Sequence, residues 1–147
     1  MICVRLATEE ARTRFETARV ARLATVRPDG SPHTVPVVFA MLGDRIVHVA
    51  DAKPKATRDL WALQRIRNIV GEPRVSFLAD AYDDDWSALW WVRADAVATV
   101  LDPAADADGW REAVDALAAR YPQYVINRPT GPVVAATVTR WTGWSAT

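Results

Sequence analysis

Two β-rich runs, VARLATV and HTVPVVFAM, flank the turn RPDGSP. Pro28 presets the backbone for the turn and Gly30 relieves its end, so the segment reads as a β-hairpin. A third run, RIVHVA, follows the LGD turn at 42–44, and RVSFLA at 74–79 follows Glu72-Pro73. The segment 88–100 alternates at period two. Trp90, Val92, Ala94, Ala96, Ala98 and Val100 make one almost wholly apolar face, and Leu89, Trp91, Arg93, Asp95, Val97 and Thr99 a mixed one. VVAATVTRW is a last strand. Sequential strands with short turns predict an antiparallel sheet, and a closed or partly closed barrel buries it most economically.

Three helical segments accompany these six strands. Thr8 is expected to cap a helix running to about Arg19, with Glu9 and Glu10 in the dipole-favoured first turn. The stretch from Asp51 to Asn68 is expected to be helical from Pro54. Ala56, Leu60, Leu63 and Ile66 lie on one side of it, with Arg58, Trp61, Arg65 and Asn68 on the other. Asp102 and Pro103 are expected to open a third helix, whose Trp110, Val114, Leu117 and Tyr121 repeat by four, three and four before Pro122 ends it. With 147 residues, half of them hydrophobic, and no linker or repeat, residues 1–147 form a single domain.

Charge excludes several roles. Lys plus Arg and Asp plus Glu both number 18, so the chain carries no global footprint for nucleic acid or an anionic membrane. Its longest apolar run, Val35 to Leu42, falls far short of the about 20 residues that span a bilayer. The start MICVRLATEE lacks a signal-peptide apolar region, and the single cysteine makes no intrachain disulfide. A cytoplasmic protein is expected.

No metal site is expected. His33 and His48 lie on different strands, Cys3 stands alone, and the DDD run at 83–85 lacks the spaced donors of a calcium loop. Nucleophile elbows, Walker loops and Rossmann glycines are absent, so a cofactor would carry any difficult chemistry. The segment 53–74 does gather cations: Lys53, Lys55, Arg58, Arg65, Arg67 and Arg74 stand against Asp59 and Glu72. Lysine suits phosphate as a point charge, arginine grips it through paired hydrogen bonds, and a helix start offers free N–H groups. A solvated helix face is the competing reading. Pro36 interrupts a strand, where it marks an edge, a bulge or backbone turned toward something else, such as a flat ring. Seven tryptophans supply either core or flat ligand surfaces.

RVARLATVRPDGSPHTVPVVFA resembles the opening hairpin of the pyridoxamine-phosphate-oxidase-like split barrels. DAKPKATRDLWALQRIRNI and EPRVSFLADAYDDDWSALWWVRADAVATVL are similar to one branch of that superfamily, the deazaflavin-dependent oxidoreductases, which use coenzyme F-420. The resemblance runs from about Glu10 to Trp144. It implies a mainly β fold, a six-stranded antiparallel split β-barrel of the FMN-binding type, assembled as a homodimer with cofactor sites between subunits. It implies that Lys53 and Lys55 hold the cofactor phosphate with Arg58 nearby, and that Val35, Pro36 and Val37 line the ring with backbone. Arg65 and Asn68 would sit near the phosphate or the glutamate tail, and Trp91 and Arg93 would come from the partner subunit. No catalytic acid or base is identified. The implied activity is hydride transfer between coenzyme F-420 and a planar conjugated acceptor. The alternatives are an FMN-dependent enzyme of the same fold and a binding protein without turnover.

Overall fold

The computed structural model describes residues 4–50 and 59–146. In chain order its elements are β1 (Val4–Arg5), α1 (Thr8–Thr17), β2 (Ala21–Val26), β3 (Pro32–Val37), β4 (Ala40–Leu42), β5 (Arg45–Val49), α2 (Gln64–Gly71), β6 (Arg74–Ala81), β7 (Trp90–Leu101), α3 (Ala107–Arg120), α4 (Gln123–Ile126) and β8 (Val133–Ser145). All the strand pairings are antiparallel, in the order β3-β2-β6-β7-β8-β5-β4, with β1 added beside β8.

That order closes the sheet. β3 and β4 occupy its two ends, yet only Val38 and Phe39 separate them in sequence. Three Cα steps of about 3.8 Å let Val37 and Ala40 lie at most roughly 11 Å apart. A flat seven-strand path would hold its edges about 29 Å apart, at about 4.8 Å per strand. The sheet therefore curls until its edges meet, which makes a split β-barrel.

The strands number eight among the described residues rather than the expected six. HTVPVVFAM is not one strand: it leaves one sheet edge after Val37 and joins the other at Ala40. Pro36 lies on an edge strand, where its missing N–H costs no ladder bond. β1 adds the remaining short strand.

The barrel interior holds Phe15, Leu23, Phe39, Ile46, Ile66, Phe77 and Val92. On β7, Val92, Ala94, Ala96 and Ala98 point inward as the alternation predicts. Phe77 lies opposite Ala94, a large residue facing a small one. α1 brings Phe15 to 4.7 Å from Phe39 and 5.3 Å from Trp141, ring centre to ring centre. A second core lies outside the barrel wall, where Val114 and Leu117 of α3 cover Val47, Val49, Val133 and Ala135. β5 and the first four residues of β8 are thus buried on both faces, which explains why RIVHV and VVAA read as nearly continuous apolar runs.

Three helix boundaries differ from expectation. Ala7, not Thr8, occupies the cap position of α1, with no side-chain cap bond. Asp102 accepts from the N–H groups of Ala104 and Ala105. It thereby caps a turn, and α3 begins only at Ala107. The helix expected from Pro54 lies outside the described residues as far as residue 58. Beyond that point it is a single 3₁₀ turn, Leu60–Ala62, capped by Asp59, after which extended backbone at Leu63 (ψ 136°) separates it from α2.

The crossover between the two sheet edges cannot use the ladder, so side chains satisfy its backbone. The Phe39 N–H donates to the Tyr121 hydroxyl at 3.2 Å, and that hydroxyl lies 2.9 Å from the carbonyls of both Phe39 and Arg19. Arg120 Nη1 donates to Phe39 O at 3.0 Å, and its Nη2 reaches the carbonyls of Glu16 and Ala18. Replacing Tyr121 by Phe strands a buried N–H, which costs about 1–3 kcal/mol. A Tyr121→Phe variant should therefore melt lower by about 2–4 °C for each kcal/mol lost, as read by calorimetry.

Candidate functional site

A pocket of about 610 Å³ opens where the chain crosses between the sheet edges. One wall is the end of β3 and the crossover, Val35 to Val38. β5 contributes His48, the start of α2 contributes Leu63 and Arg65, and the α3–α4 junction contributes Tyr121, Gln123 and Tyr124. Most of this lining is apolar, with a few convergent polar groups, the usual constitution of a small-molecule site. Tyr121 and Tyr124 meet edge to face at 6.0 Å.

The polar groups form a chain. His48 is 4 % exposed. Its Nδ1 lies 3.0 Å from the Val38 carbonyl, and Arg65 Nε donates to its Nε2 at 3.0 Å. His33 also feels the Arg65 charge. Burial, reinforced by the charges of Arg27 and Arg65, holds its imidazole below the ordinary pKa. Its buried Nδ1 makes no hydrogen bond.

The residues singled out in the sequence fall into four groups. Val35, Pro36, Val37 and Arg65 are brought together on the pocket wall. Asn68 sits behind that wall, 1 % exposed. Its amide donates to Thr25 Oγ1 at 2.9 Å and accepts from Gln64 Nε2 at 2.6 Å. Trp91 and Arg93 lie on the outward face of β7, away from this pocket. There the Arg93 guanidinium stacks 5.3 Å from the Trp91 ring and approaches Asp95 at 3.9 Å. Lys53, Lys55 and Arg58 lie outside the described residues.

His48, Gln123 and the two tyrosines were not singled out as site residues. A signal for His48 exists: in RIVHVA it shares the inward face with Ile46, and a polar ring at a core position requires partners. Tyr121 carries only the helical repeat of a core residue, which hides its hydroxyl's work.

A family model for pyridoxamine 5'-phosphate oxidase matches residues 7–145. The chain belongs to that family. Among curated proteins none matches the sequence. Solved structures of similar fold include a FAD-binding protein from Mesorhizobium loti, with TM-score 0.76 and 18% identity, covering 100% of both chains. A conserved hypothetical protein from Mycobacterium tuberculosis aligns with TM-score 0.74 and 22% identity over 96% of this chain and 86% of that one. An F-420 reductase aligns with TM-score 0.63 and 18% identity over 88% and 94%. At these identities the likeness is one of fold, and it agrees with the split barrel that the strand order dictates.

Among the described residues of this oxidase-family member, no three His, Cys, Asp or Glu side chains gather as a metal site. No helix among them is long and apolar enough to cross a membrane. Because the Asn68 amide ties α2 to β2, an Asn68→Ala variant should lose about 1–3 kcal/mol of stability by stranding Thr25 and Gln64, measured as a lowered urea midpoint.

Proposed function

We propose that this protein is an oxidoreductase that holds a flavin-type cofactor, coenzyme F-420 in preference to FMN, against the β3 wall. It would exchange a hydride with a planar conjugated small molecule. The observation that carries this reading is the pocket itself: an apolar cleft with a strand edge as one wall and, among the described residues, a single guanidinium in its lining, in a chain of this family. Its volume of about 610 Å³ lies in the range that encloses cofactor-sized ligands. The FAD-binding protein and the F-420 reductase of similar fold support a ring-bearing cofactor here.

The residues present fit such a group. Val35, Pro36 and Val37 offer backbone and a flat pyrrolidine to a ring face. Arg65 offers a fork of donors to phosphate or carboxylate. Tyr121 and Tyr124 close the far side and keep water from the ring. The bound cofactor supplies hydride donation or acceptance. The protein's part is positioning and exclusion of water, which needs no side-chain acid or base. Lys53, Lys55 and Arg58 would hold the phosphate, with Arg65 toward the glutamate tail, and this extended run of cations exceeds what FMN alone requires.

The outward face of β6 to β8 exposes Leu78 and Val97 beside half-buried Trp91 and Trp144. Covering it with a second copy would make a homodimer and bring Trp91 and Arg93 to a partner's site. Sedimentation at micromolar concentration should give twice the mass of one chain, and a monomer would remove that role for Trp91 and Arg93.

Parallel titration of the purified protein with oxidised coenzyme F-420 and FMN tests the cofactor. Tighter F-420 binding at physiological salt is expected, and equal or tighter FMN binding reverses the preference. Binding without turnover of any acceptor would make the protein a carrier. Lys53→Ala and Lys55→Ala should each weaken binding by roughly ten- to a hundredfold, the value of one charge-assisted phosphate contact, while Arg5→Ala leaves it unchanged.

A further inference from the structure

We propose that His48 is a positioning residue, which aims the Arg65 guanidinium at the anionic part of the bound cofactor. The proposal rests on the cofactor reading of the pocket. Its observation is the three-part chain from Val38 O through the imidazole to Arg65 Nε, with both links at 3.0 Å.

The chain fixes the state of the ring. A guanidinium has donors only, so Nε2 must be the unprotonated acceptor of the Arg65 bond. The proton therefore sits on Nδ1 and is donated to the Val38 carbonyl. A buried imidazole with both nitrogens engaged has no alternative orientation that keeps both bonds. One end of it is anchored to the crossover that forms the pocket wall.

That anchoring acts on Arg65. Arg65 is the second residue of α2 and is only part-buried, and the His48 bond removes rotamers that so long a side chain would otherwise sample. Holding Nε fixes the plane of the fork, because the guanidinium is rigid and planar. A bidentate contact to phosphate or carboxylate then has a set direction and loses less entropy on forming. The acceptor is also neutral. A carboxylate in the place of His48 would orient Arg65 equally well but would cancel the charge that attracts an anion. A neutral imidazole orients without cancelling.

Glutamine and asparagine separate the two ends of the ring. His48→Gln places an amide oxygen near the Nε2 position and keeps an acceptor for Arg65. His48→Asn places its amide near Nδ1, keeps a donor for Val38 and discards the acceptor. Dissociation constants for oxidised coenzyme F-420 and for FMN would be measured by fluorescence, with melting temperatures, in the wild type, both His48 variants, Arg65→Ala and His48→Asn/Arg65→Ala. Arg65→Ala should weaken binding about tenfold or more, as loss of a charge-assisted contact does. His48→Asn should weaken it several-fold and His48→Gln by less than about twofold, and the double variant should bind no more weakly than Arg65→Ala, since a residue acting through another adds nothing once that other is gone. Wild-type affinity in His48→Asn, or a further loss on adding it to Arg65→Ala, overturns the proposal. If His48→Asn does not fold, His48→Phe, which keeps a ring but neither nitrogen, carries the test alone and with Arg65→Ala. Weakened binding that adds nothing to Arg65→Ala then supports positioning, and wild-type affinity or a further loss overturns it. A wild type that binds neither cofactor overturns the cofactor reading and the positioning role with it. Wild-type binding that Arg65→Ala loses and His48→Asn keeps overturns the positioning role alone.

Discussion

Val38 and Phe39 join the two edges of one sheet, and most of what matters in this molecule follows from how short that connection is. Edges that would stand about 29 Å apart in a flat sheet are held within roughly 11 Å. The barrel has to form, and it has to leave a seam, because the crossing residues run between strands instead of along one. Their N–H and C=O groups have no ladder partners there. Buried backbone groups without partners are costly, and the sequence meets the demand with Tyr121, Arg120 and His48. Phe39 fills the interior at the same point, against Phe15.

The seam is also where the pocket opens, so fold closure and the proposed ligand site share residues. Tyr121 satisfies the Phe39 backbone and walls the pocket. His48 satisfies Val38 and holds Arg65. Under the proposed function, substitutions at either position act on stability and on binding together, and affinity has to be read beside melting temperature. Elsewhere the two are separable. α3 itself covers β5 and β8 without lining the pocket, and the outer layer meets the pocket at Tyr121, just past the helix, and at Tyr124 and Val38.

Local rules were enough for much of the fold. Gly30 and Gly43 take the positive φ values that their turns require, and the β2–β3 and β4–β5 hairpins form where the turn residues place them. Period-two alternation identified the inward face of β7 residue by residue. Pro36 announced an edge, but nothing local says that the chain leaves that edge for the opposite one two residues later, since VVFA is equally good as a continuing strand. Helical spacing put Asn68 on the same stripe as Arg65, yet contact with Thr25, a residue 43 positions away, buries it. The His48–Arg65 bond joins an inward-facing strand position to a helix start, a pairing that only the closed barrel creates. Resemblance to the family supplied Val35, Pro36 and Val37 as ring-lining residues, and the structure places all three on one pocket wall.

Backbone amide shifts during a titration with oxidised coenzyme F-420 test most directly whether the seam is the ligand site. Large perturbations at Val35, Val37 and Val38, together with the Nε resonance of Arg65 and the amides of Gln123 and Tyr124, are the predicted result. Perturbations confined to the outward face of β7 around Trp91 and Arg93, with the β3 amides unmoved, would contradict it.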